Sequence, residues 1–177
     1  SVILENHFGT EAVLFPEKNF NNQLGLPLTL LRLNEKHQFV VLEMGMRGLD
    51  EIAYLAKISQ PTVAAITMAK EVHGGRVGDV NVIAKAKGEL FENLSANAVA
   101  IINADDPFCD YWQSLLTRQK TLLFGYAQQA QITAKNINGQ LFDLCLNDKC
   151  IDVTLALEGK HHITNALAAS AIVSEVL

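Results

Sequence analysis

The feature that most restricts this chain is an alternation that runs from Phe39 to Phe124: short apolar runs, each followed by a segment of helical period. Phe39-Val40-Val41-Leu42-Glu43-Met44 stops at Gly45 and predicts a buried strand; residues 62–67, opened by Pro61, predict a second. Residues 98–103 and 121–124 predict two more, the last closed by Gly125. Helices are expected at 50–58, where Ile52, Leu55, Ala56 and Ile58 share a face, at 82–94, and ending at 115–118. Strands apolar on both faces, alternating with helices, call for a parallel sheet covered on both sides. Ligands of such a sheet collect beyond the C-terminal strand ends. The expected class is α/β, a three-layer, mostly parallel sheet.

From about Gln131 the period changes to two. Residues 132–137, 141–146 and 151–157 alternate or nearly do, with Asn138-Gly139 and Asn147-Asp148 as turns, which predicts a small antiparallel β meander near the C-terminus. Residues 165–177 predict a closing helix opened by Asn165, residues 27–33 an early one, and Val2 to His7 the tail of another. No linker, repeat or low-complexity tract divides the 177 residues, so a single domain is expected.

Composition narrows the function. With 14 basic against 19 acidic residues and a net charge of -5, the chain carries no footprint for nucleic acid or an anionic membrane, and no apolar run reaches the roughly 18 residues that span a bilayer. No basic, then apolar, secretory leader is visible at the start. Cys109, Cys145 and Cys150 cannot all pair, and none lies in a CxxC or Cys/His metal spacing, so a reducing, cytoplasmic setting is expected.

Polar residues gather where the strands should end. Glu43 is either an ordinary charge at a strand edge or a carboxylate aimed at a metal or phosphate. His73, in VHGGRVGD, is either a surface histidine or a ligand in a glycine-permissive loop beyond a strand. Lys87 shares a 4-3-4 stripe with Ile83, Leu90 and Leu94; it either snorkels or, desolvated, becomes a neutral nucleophilic amine. Lys85 lies off that stripe and reaches Glu89 at i+4 as a surface pair. Asn103, Asp105 and Asp106 are turn formers or ligand contacts. Asn19, Asn21 and Asn22 precede a helix and could offer amides to an anion.

In order along the chain stand KNFNNQLGLPLTLLRL, LEMGMRGLDEI, QPTVAAIT, AKAKGELF, INADDP, LFGY, ITAKNI and GKHHITNALAA. Together they resemble the central, ATP-binding domain of the Mur ligases. The NFNNxxGxPLTLL and LEMGxRGxxEI wording resembles the branch that adds D-alanyl-D-alanine to UDP-N-acetylmuramoyl-tripeptide (UDP-MurNAc-tripeptide) in peptidoglycan precursor synthesis. The resemblance implies ATP and Mg2+ as cofactors, acyl-phosphate chemistry, and a cytoplasmic monomer. It implies Glu43, His73 and Lys87 as the catalytic, metal-binding set, with Lys87 carbamylated. Asn165, His161 and Asn103 would lie beside the nucleotide, and Asn21 and Asn22 beside the UDP-substrate.

Several positions depart from the family. Met68 stands where TNxxxxH has asparagine, Gly75 where an acidic residue is common, and His162 where HNxxN has asparagine; no GxxGKT occurs in the chain. The expectation is one central domain cut just after its phosphate-binding loop, without the N-terminal UDP-binding and C-terminal domains. Other readings are a degenerate binding or scaffold module, and a ligase of the same superfamily with another substrate, such as folyl-polyglutamate or cyanophycin. A GxxGKT just upstream of Ser1 would favour a ligase over the scaffold, and the NFNN loop speaks against the other substrates. Without the backbone nest and lysine of that loop, the β- and γ-phosphates lack a cradle. The 177 residues alone should therefore not hydrolyse ATP; phosphate release well above a no-protein control would contradict this.

Overall fold

A computed structural model describes residues 1–70 and 79–177, and the contacts divide the chain into two units. The first comprises Ser1–Gln60 and the described residues of Glu71–Asn93; the second comprises Pro61–Lys70 and Leu94–Leu177.

In the first unit lie α1 (Val2–Phe8), β1 (Val13–Leu14), α2 (Gly25–Leu30), β2 (Phe39–Val40), α3 (Glu51–Ser59) and α4 (Val80–Glu92). The strand expected over 39–44 is shorter, and it pairs in parallel with β1, in a two-stranded sheet apart from the main one. Its ladder continues to Val41, whose N–H donates to the Leu14 carbonyl at 2.8 Å. Two residues beyond Leu14, Pro16 has no N–H to extend the pairing. Past Val41 the period of two persists without a ladder. Leu42, Met44 and Met46 pack against a core of Leu26, Ile52 and Leu55, and Leu90 of α4 joins the same cluster. Helix α2 starts ahead of its expected start at Pro27, because the Asn22 side-chain oxygen accepts from the N–H groups of Leu24 (3.0 Å) and Gly25 (2.9 Å).

The second unit holds β3 (Val63–Ile66), β4 (Val99–Asn103), α5 (Cys109–Ser114), β5 (Lys120–Phe124), β6 (Ile132–Asn138), β7 (Leu141–Leu146), β8 (Lys149–Thr154) and α6 (Lys160–Ser174). All six strands form one sheet in chain order; β3 to β6 pair in parallel, and β6-β7-β8 antiparallel. The meander thus continues the parallel sheet, joined to it through Phe124 and Ile132. Ile163, Leu167 and Ala171, four residues apart along α6, pack into a core with Ile101, Phe124, Ile132 and Phe142. Helix α6 begins five residues before the expected Asn165, directly after Gly159 at φ 127. Cys145 and Cys150 lie opposite each other across β7 and β8 and are joined as a disulfide, while Cys109 is free and buried. A search for CxxC spacing overlooks this pair, because a hairpin register brings it together, and the pairing removes the cysteines as an argument for a reducing setting. Among the described residues no helix is long and apolar enough to cross a membrane.

Beyond the ends of β4 and β5, side chains hold the backbone. Asn103 Nδ2 donates to the Thr67 carbonyl at 2.8 Å. Asp106, only 8% exposed, accepts from the N–H of Ala69 (2.8 Å) and of Phe108 (2.9 Å). Asp105 accepts from the N–H groups of Tyr126 (2.8 Å) and Ala127 (2.8 Å). A Cβ on Gly125, at φ 137, would fall 2.6 Å from that carboxylate, so the turn requires glycine. Asp106→Ala would strand two backbone donors and should cost about 2–4 kcal/mol. Urea unfolding of wild type and variant measures this; a loss below about 0.5 kcal/mol would show that water replaces the carboxylate without penalty.

Candidate functional site

In the first unit the candidate residue Glu43 lies beside Asn21. The inward packing of Leu42 and Met44 turns the intervening Glu43 outward, and it is exposed. Asn21 Nδ2 donates to Glu43 Oε1 at 2.9 Å, and the Asn21 carbonyl accepts the Gly45 N–H at 2.7 Å. A Cβ on Gly45 would lie 2.9 Å from the Asn21 carboxamide, so glycine is what permits this approach. Two openings flank the pair. One, of about 220 Å³, is lined by Phe15, Lys18, Asn21, Val41 and Glu43 among others. The other, of about 370 Å³, is lined by Asn21, Asn22, Gly45, Arg47 and Glu51 among others. Asn21 borders both. Asn22, expected beside the UDP-substrate, uses its side-chain oxygen to cap α2.

Lys87 stands on α4, half-buried, with Ile83 and Leu94 buried and Leu90 half-buried along its stripe; Lys85 is exposed. Leu90, one turn on, enters the core that also takes Leu42, Met44 and Met46, so the Glu43 segment and the Lys87 helix share one small core. The start of α4 is capped by Asp79, whose carboxylate accepts from Asn81; the Asn81 side-chain bond, more than the backbone bond, holds its pKa below the usual carboxylate value. His73 and Gly75 lie outside the described residues. Among the described residues, no group of three or more His, Cys, Asp or Glu side chains is arranged to hold a metal ion. Glu43 is nonetheless a fitting donor. A hard cation such as Mg2+ takes one or two carboxylate oxygens and completes its shell with water and phosphate.

Glu89 was read from sequence as the partner of Lys85 in a surface pair, and the structure corrects this. It is 7% exposed, and its two oxygens accept from the N–H groups of Asp50 (2.7 Å) and Ala53 (3.1 Å) at the start of α3. The sequence offered one signal, since Glu89 lies next to the Ile83-Lys87-Leu90 stripe. A broad apolar face on α4 would have to include it.

In the second unit the remaining candidates sit beyond β4 and β5 and on α6. Asn103 is buried, its amide given to Thr67 and its oxygen accepting the Asp105 N–H at 3.0 Å. His161 and Asn165 are both exposed and, four residues apart, occupy one face of α6. The rings of His161 and His162 lie 3.9 Å apart. Lys160 Nζ sits 4.5 Å over the Tyr126 ring, and burial pushes the Tyr126 hydroxyl above its ordinary pKa. Burial likewise raises the Cys109 thiol, with Asp110 adding to it, which leaves it a weak nucleophile.

Comparison with known proteins identifies the family. The Mur ligase middle domain family matches residues 3–173. The UDP-N-acetylmuramoyl-tripeptide–D-alanyl-D-alanine ligase of Haemophilus influenzae is 39% identical over 99% of this chain, which spans 39% of that protein. Its Escherichia coli K12 counterpart is 37% identical over 90% of the chain and 36% of its own length. A crystal structure of MurF from Acinetobacter baumannii superposes with a TM-score of 0.90 at 30% identity, covering 98% of this chain and 38% of its own. MurF from Thermotoga maritima, in complex with ADP, gives 0.81 at 25% identity, covering 98% and 40%. The chain thus spans well under half the length of each of these relatives. With a family match over nearly its whole length and a sheet that continues from parallel strands into an antiparallel meander, the chain belongs to the Mur ligase middle-domain family.

Proposed function

We propose that this chain is the middle domain of an ATP-dependent ligase that adds D-alanyl-D-alanine to UDP-MurNAc-tripeptide, acting as a cytoplasmic monomer. The observation that carries the reading is the Asn21–Glu43 hydrogen bond. It joins the two stretches, NFNN and LEMG, whose wording distinguishes the branch, at the border of two openings. Identity of 39% to a ligase of that name supports it.

In this reading the terminal carboxylate of the precursor peptide takes the γ-phosphoryl group of ATP, and the amine of D-alanyl-D-alanine then displaces phosphate to form the amide. Bound Mg2+ would neutralise charge on the transferring phosphoryl group. Glu43, His73 and Lys87 are the residues that would hold the ion. Asn21 fixes the Glu43 carboxylate by donating to one oxygen, which leaves that group oriented before any ligand arrives. Lys87 is half-buried on its stripe, and the role proposed for it requires its amine in the neutral form. Such an amine adds to carbon dioxide: a nitrogen–carbon bond forms, a proton leaves, and the side chain becomes an anionic oxygen donor. His161 and Asn165, on one face of α6, are proposed to meet the nucleotide.

The test uses the full-length protein. ADP formation should require both UDP-MurNAc-tripeptide and D-alanyl-D-alanine, and turnover that ignores the dipeptide would refute the assignment. Lys87→Ala should lower kcat on the order of a thousandfold, the loss of one charge-bearing ligand, with its circular dichroism unchanged. A variant that kept most of its activity would remove Lys87 from the site.

A further inference from the structure

The start of α3 is unusual. Asp50 occupies the N-cap position but adopts φ 69, and its side chain makes no capping bond. The cap comes from α4 instead, 39 residues further along the chain. Glu89 Oε1 accepts from Asp50 N–H at 2.7 Å and Oε2 from Ala53 N–H at 3.1 Å. An anion across the first turn of a helix meets both its unpaired donors and the positive end of its dipole. Two donors at fixed spacing, gripped by one planar group, also set the rotation and axial register of α4 against α3.

That register has a functional consequence. α4 carries Lys87, two residues before Glu89, and Leu90, one residue after it. Leu90 packs on the Leu26-Ile52-Leu55 core, and Leu42, Met44 and Met46, which bracket Glu43, pack on the same core. The segment from Glu43 to α3 is short and held at its far end, where Arg47 N–H donates to Glu51 Oε2 at 2.8 Å. Moving α4 along α3 would therefore move Lys87 relative to Glu43. An apolar residue at position 89 would fill the space but would not choose a register.

We propose that Glu89 is a positioning residue, whose buried carboxylate grips the α3 N-terminus and so sets Lys87 relative to Glu43. The inference rests on the Glu43–Lys87 site proposed above. It is tested in the full-length ligase with Glu89→Ala and Glu89→Gln, the second keeping one acceptor oxygen in case the first folds poorly. In the folded fraction, the Mg2+ concentration for half-maximal turnover should rise about 10–100-fold for Glu89→Ala and less for Glu89→Gln, with the KM for UDP-MurNAc-tripeptide unchanged. Without turnover, the carbamate carbon signal of protein equilibrated with ¹³C-bicarbonate should weaken in the same order. If both variants melt earlier yet keep the wild-type Mg2+ dependence and carbamate signal, Glu89 is a cap alone and the proposal is overturned. Failure of the underlying site reads out differently: wild-type protein would then show no carbamate signal, and Lys87→Ala would remain active.

Discussion

Every passage from strand to helix leaves backbone N–H groups outside both ladder and helix, and burying them without partners is costly. In this chain a few carboxylate and carboxamide side chains meet that demand, and the arrangement of both units depends on them. Asn22 caps α2, Glu89 caps α3 and Asp79 caps α4. In the second unit Asn103, Asp105 and Asp106 hold the segments that follow β3, β4 and β5. These are the residue types a ligand site would also use, so their hydrogen bonds decide which are committed to the fold. Asn103 uses both ends of its carboxamide within the fold and Asn22 its oxygen, whereas Asn21 gives its amide to Glu43.

The two candidate regions differ in how they are built. Around Glu43, a period of two sends Leu42, Met44 and Met46 inward and leaves the carboxylate facing out, so the apolar core orients the polar group between its members. On α6 a helical period does this work. Ile163, Leu167 and Ala171 face the sheet, and His161 and Asn165 take another face. Each candidate region thus takes its orientation from the burial of its neighbours.

Much of the architecture was legible in the chain. Residues 62–67, 98–103 and 121–124 read as strands because their interiors are apolar on both faces, and β3, β4 and β5 fall on them within a residue at each end. The alternating runs after Gln131 read as a meander, and they form one. Lys87 was distinguished from Lys85 by spacing alone, and the exposure of the two side chains follows that distinction. What escaped were features with no local period. β1 is two residues long, too short for a pattern, and its existence depends on Phe39 and Val40 arriving beside it. Glu89 reads as the second half of an i,i+4 pair with Lys85, and nothing nearby in sequence announces a helix start 39 residues earlier.

The sequence by itself determined most of the strands and helices and which family wording they carry, because burial period and motif are local properties of the chain. Only the tertiary structure decided how those segments pair and what their polar side chains do. It placed β2 against β1 rather than in the main sheet, where Pro16 ends the ladder, and joined Cys145 to Cys150 across a hairpin. It turned Glu89 from a surface charge into a buried cap. A side chain's partner depends on which backbone donors folding brings within about 3 Å, and that distance is set by contacts far apart in the chain.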